Sequence, residues 1–114
     1  MDSHVVQHFV TESGHVNSDG VIWRVPPRPY GISYRSIVPR KGECENLFSP
    51  ICLSASHVAH GSIRMEPVFM ALSQSAAIAA GMAIDGNLSV QAVAYPSLRK
   101  KLEAANQIVT PPAR

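Results

Sequence analysis

Apolar and polar positions alternate over the first half of the chain and lose that alternation in the second. Residues 4–10, HVVQHFV, are β-branched and aromatic-rich and predict a strand. The next ten residues gather Gly, Asn, Ser and Asp and end on the turn pair Asp19-Gly20. VIWRV at 21–25 resumes strand character, so residues 4–25 predict a hairpin with a long loop. PPRP at 26–29 lacks three backbone donors and ends that strand. In ISYRSIVP, 32–39, the residues Ile32, Tyr34, Ser36 and Val38 alternate with Ser33, Arg35 and Ile37, the pattern of a half-buried strand. After the charged turn RKGECEN, the run LFSPICLS at 47–54 is nearly uncharged and apolar on both faces. It predicts a strand covered on both sides, with Pro50 marking a bulge or an edge.

The period then changes. Glu66 and Asp85 bracket eighteen uncharged residues. Pro67 suits a first helical turn, Glu66 is favourable at the positive end, and Gly86 is placed to stop the helix. Ala71, Ser73, Ser75, Ala76, Ala77, Ala79, Ala80, Gly81 and Ala83 make it a small-residue helix, predicted to be buried. Its length reaches the membrane-spanning range, but Gln74 and Ser75 at its middle, Pro67 at one end and the lack of an aromatic belt favour a buried core helix. A second, amphipathic helix is predicted at 96–106, with Leu98 and Leu102 inward and Arg99, Lys100, Lys101 and Glu103 outward. The order of elements predicts an α+β fragment: strands and a hairpin, a strand–loop–long buried helix unit, and a short C-terminal amphipathic helix.

Composition narrows the function classes. At 114 residues there is room for one domain or part of one. A net charge of +2 does not argue for a nucleic-acid partner. Two Cys supply neither a disulfide scaffold nor an iron–sulfur site, and no basic region precedes a long apolar run at the N-terminus, so the default compartment is the cytoplasm. Cys52 reads as a small buried apolar residue.

Polar chemistry concentrates in SASHVAHGSIRMEP, 54–67, between an apolar run and a helix start, where sheet-and-helix folds place ligands. Free backbone N–H groups near Arg64–Met65 would face an anion or an electron-rich ring, and Arg64 would bind a carboxylate or phosphate. In the plainer alternative Ser62 caps the helix and Arg64 pairs with Glu66. His57 and His60 offer only two imidazoles, too few for a metal, and no G-x-S-x-G is present for a Ser–His hydrolase. His57 remains open as an acid, a base or a hydrogen-bond partner.

YRSIVPRKGECENLF, CLSASHVAHGSIRMEPVFM and SQSAAIAAGMAID together closely resemble the C-terminal end of FAD-dependent oxidoreductases of the glutathione-reductase-like flavoprotein class. The resemblance runs from MDSH through QIV. It implies that 1–114 is a single partial domain. Residues 1–46 would be substrate-domain-like strands, 47–86 the last strand, loop and helix of the FAD domain, and 87–114 a C-terminal helix and tail. It also implies FAD as cofactor and hydride or electron transfer; some relatives in the wider family carry iron–sulfur clusters, but Cys44 and Cys52 alone cannot hold one, so none is expected. Ser62, Ile63, Arg64 and Met65 would line the flavin, with Arg64 and His57 nearest a substrate. Relatives commonly carry a Gly-Arg pair where this chain reads Ser49-Pro50-Ile51-Cys52, and Gly where it has Ser73 and Ile78. The G-x-G-x-x-G turn that holds the FAD pyrophosphate is absent from these residues. The expectation is therefore a fragment (a truncated reading frame, a split-gene product or a remnant), inactive alone and marginally stable or self-associating, with a separately encoded N-terminal FAD-binding half as one candidate partner. The alternative expectation is a non-catalytic interaction module that meets a partner through its small-residue helix.

Overall fold

The computed structural model describes residues 2–5, 8–18, 21–24 and 26–110, the strand residues by backbone alone. The expected Asp19-Gly20 turn lies outside them, as do residues 6, 7 and 25 of the two flanking strand expectations. Two short antiparallel ribbons come first. β1 (Asp2–Val5) pairs with β4 (Val21–Arg24), with Asp2 opposite Arg24 and Val5 opposite Val21. β2 (His8–Val10) pairs with β3 (Val16–Ser18). From residue 26 to residue 110 every regular element is helical: α1 (His57–Ile63), α2 (Glu66–Asp85), α3 (Tyr95–Ala104) and 3₁₀ turns at Tyr34–Ile37 and Val90–Ala92.

That body corrects the α+β expectation. Both core clusters lie between Ile32 and Val109, and every regular element that contributes to them is helical. The predicted strand at 32–39 is a 3₁₀ turn, because Ser33 caps it: its Oγ accepts from the Arg35 N–H at 3.3 Å. The alternating pattern was misleading, since Tyr34 and Ile37, three apart, both pack inward. The predicted strand at 47–54 is irregular. It runs beside the 3₁₀ turn through only two backbone bonds, Ser49 N–H to the Ile37 carbonyl (2.9 Å) and Ser54 N–H to the Ser36 carbonyl (2.7 Å). Pro50 between them has no donor to extend a ladder. Cys52, expected buried, is exposed.

α1 arises where a loop was expected. The Ser56 hydroxyl accepts from the Ala59 N–H at 3.2 Å and satisfies an otherwise orphaned donor. α2 spans Glu66–Asp85 with Pro67 in its first turn. It is not a buried helix, as only Ala76, Ala79 and Ala83 are buried. Gly86 does not supply its left-handed stop; Asn87 does, at φ 47°, with the Leu88 N–H returning to the Ala83 carbonyl at 2.8 Å. Glycine at 86 spares a close approach: a Cβ there would stand 3.0 Å from Leu88 Cδ1 and 3.2 Å from the Met82 carbonyl oxygen. α3 ends the same way, with Asn106 at φ 60° and the Gln107 N–H on the Leu102 carbonyl at 2.9 Å.

One core cluster joins Ala79 and Ala83 of α2 to Val93, Leu98 and Leu102. The other joins Ala76 to Ile37, Leu53 and Ile63. Tyr34 and Phe48 pack against both clusters and meet edge to face, with ring centroids 6.1 Å apart. The Tyr34 hydroxyl donates to the Val90 carbonyl at 2.7 Å, and burial pushes its pKa from 10.0 up to about 12.

Candidate functional site

α1 and the two residues that join it to α2 carry every residue the sequence singles out. His57 opens α1 and is exposed, whereas Arg64 closes it. Seven helical residues put these two groups roughly 10 Å apart along the axis, so α1 separates them rather than converging them. Ser62 lies on the last turn. Its hydroxyl donates to the Ala59 carbonyl at 3.0 Å and shares a hydrogen bond with the Tyr30 hydroxyl, which ties the 29–33 loop to α1. Ile63 is 5% exposed and belongs to the core. Met65, the residue before α2, is 41% exposed.

The expected anion-facing N–H groups are spent inside the turn. The Arg64 N–H donates to the His60 carbonyl at 3.0 Å and the Met65 N–H to the Ile63 carbonyl at 2.8 Å. The Met65 carbonyl in turn accepts from the N–H groups of Val68 (2.9 Å) and Phe69 (3.1 Å), and Ser62 does not cap α2. A flavin ring needs a common face of exposed donors and apolar walls. Here Ser62 is engaged, Ile63 faces the core, and the two backbone donors are internally bonded. In this arrangement the residues do not fit a flavin.

Concave surface lies elsewhere. A groove of about 310 Å³ runs between residues 29–34, α2, α3 and the segment 107–109, walled by Tyr30, Tyr34, Leu72, Leu98, Leu102 and Val109. Gln107 closes one side: its Nε2 donates to the Ala71 carbonyl at 2.7 Å and its Oε1 accepts from the Ser75 hydroxyl at 3.0 Å. A second cleft, of about 400 Å³, is lined by Tyr34, Arg35, Val38, Arg40, Lys41 and Gln91 among others. None of His57, Ser62, Ile63, Arg64 or Met65 lines either. Sequence reasoning passed over this second cleft. Arg40 and Lys41 read as a plain charged turn, and no spacing signal ties them to Gln91, which is brought back to them only by the fold. Among the described residues no group of three His, Cys, Asp or Glu is placed to hold a metal.

No curated protein and no solved structure gives a significant match to the chain. A family model described as FAD dependent oxidoreductase matches residues 1–102, which takes in the ribbons, the 3₁₀ turns, α1, α2 and most of α3. That match covers the segments ECENL, CLSASH, GSIRMEP and QSAA in one continuous stretch. The chain therefore belongs to the FAD-dependent oxidoreductase family, and FAD is the cofactor that membership implies.

Proposed function

We propose that this chain is the C-terminal part of an FAD-dependent oxidoreductase of the glutathione-reductase-like class, which shapes the flavin edge and substrate pocket only when joined to a dinucleotide-binding half. The observation that carries this reading is the outward face of α2. Met70 is 72% exposed and Ile84 79%, with Ser73, Ala77 and Gly81 exposed between them. A helix face with no charge from Pro67 to Ile84 is one that a neighbouring element covers in a finished domain. The glycine turn for the pyrophosphate comes from outside these 114 residues on this reading. Alone, the chain is inactive.

A second reading, a non-catalytic module that uses the same α2 face to hold a partner, is favoured by the dispersal of His57, Ser62, Ile63 and Arg64 described above. Co-expression with the dinucleotide-binding half of a family member separates the two. The oxidoreductase reading expects a co-purifying complex with close to one flavin per pair, lost when Met70→Glu places a charge on the α2 face. A stable complex that carries no flavin supports the module instead.

A further inference from the structure

We propose that the cleft between the 3₁₀ turn Tyr34–Ile37, residues 38–41 and Gln91 binds an organic phosphate that carries hydroxyl groups, a sugar phosphate being the simplest member of the class. This inference uses none of the residues assigned to the flavin and stands apart from the reading above.

Charge is the first observation. Arg35, Arg40 and Lys41 all line the cleft, and no acidic side chain does among the described residues. No carboxylate among the described residues forms an ion pair with any of the three. The nearest acid in the loop, Glu43, has its Oε2 on the backbone N–H of Arg40 at 3.0 Å, so it shapes the loop rather than neutralising a guanidinium. Three cations gathered around one concavity, in a chain whose net charge is only +2, concentrate positive potential there. Two of them are guanidiniums, which grip tetrahedral and planar oxyanions through paired N–H donors.

Gln91 is the second observation, and it selects the kind of anion. Its Nε2 donates to two backbone carbonyls, Pro39 at 3.1 Å and Cys44 at 2.7 Å. Those two acceptors fix the orientation of the amide, since the flipped form would set oxygen against oxygen. The Oε1 atom is left to accept, is buried and meets no donor, in a side chain that lines the cleft. A buried acceptor of this kind is completed by a hydroxyl or N–H, not by a bare anion. Cations for the phosphate and one fixed acceptor for a hydroxyl describe a polyol phosphate. The cleft's volume of about 400 Å³ exceeds the need of inorganic phosphate and falls among small-ligand sites. Tyr34, pinned by its bond to the Val90 carbonyl, and Val38 offer a wall for the carbon skeleton.

Calorimetric titration of the full chain with ribose 5-phosphate, methyl phosphate, inorganic phosphate and ribose tests the proposal. Ribose 5-phosphate should bind roughly tenfold or more tightly than each of the other three, because only it offers both the anion and the hydroxyl donor. Arg35→Ala and Arg40→Ala, both on exposed side chains, should each weaken that binding by about tenfold while leaving the far-ultraviolet circular dichroism unchanged. Added salt should weaken it further. Absence of ribose 5-phosphate binding at millimolar concentration overturns the proposal. So does equal affinity for methyl phosphate, or binding indifferent to both arginine variants.

Discussion

Tyr34 joins the two halves of the core. It packs on both core clusters, meets Phe48 edge to face and donates to the Val90 carbonyl from 56 residues away. Its phenol is held neutral by burial, with a pKa raised to about 12 in the folded chain. A raised folded value means the native state holds the proton more tightly than the unfolded chain does. The stabilisation is therefore complete below pH 10 and is lost as pH rises toward about 12. Denaturation midpoints measured from pH 8 upward should be flat to about pH 10 and then fall; Tyr34→Phe should remove Tyr34's own contribution to that fall while lowering stability at neutral pH by about 1 kcal/mol. Ser56 is a smaller case. Ser56→Ala deletes the only side-chain cap of α1 and should cost about 1 kcal/mol in urea denaturation. The capping serines also show where sequence reading falls short. Ser33 and Ser56 each redirect a segment, one away from a strand and one out of a loop, through a single local hydrogen bond that no hydrophobic pattern reveals.

Among the elements, α2 was the most legible, because eighteen uncharged residues bracketed by acids, with Pro67 at one end and Gly86 at the other, leave little choice of boundaries. Its surroundings were not legible. Small residues all round its circumference gave no apolar stripe to mark which side faces inward, and the structure buries only the face of Ala76, Ala79 and Ala83. The segments 32–39 and 47–54 imitate strands for a related reason: short apolar runs fit several backbones, and capping and Pro50 decide between them. The two faces of α2 should respond oppositely to substitution. Ala79 is 0% exposed, so Ala79→Leu overpacks the junction with α3 and should cost about 1–3 kcal/mol. Gly81 faces open space, and a Cβ there would meet nothing within 4 Å. Gly81→Ala should therefore stabilise the free chain by roughly 1 kcal/mol through helix propensity alone. Thermal denaturation of both variants reads the two signs directly.

At the scale of the molecule, the chain is broad and thin. Its Cα radius of gyration is 17.8 Å and its extents are 61 × 39 × 18 Å. A compact domain of similar length has a radius of about 13 Å. Among the described residues the fully buried large side chains are Ile37 and Leu98, and three of the other buried core residues, Ala76, Ala79 and Ala83, are alanines. Family membership rests on the continuous run of residues 1–102 that the family model matches, not on an assembled site. Motif residues thus identify the family while the residues expected at the flavin do not converge in this chain, and on the proposed reading they would do so only when a dinucleotide-binding half joins it. The most direct test is a titration of FAD into the purified chain, following flavin fluorescence and the visible absorption band, with and without a dinucleotide-binding half of the family. The account predicts no saturable binding by the chain alone and binding once the half is added. Micromolar or tighter binding of FAD by these 114 residues alone would contradict it.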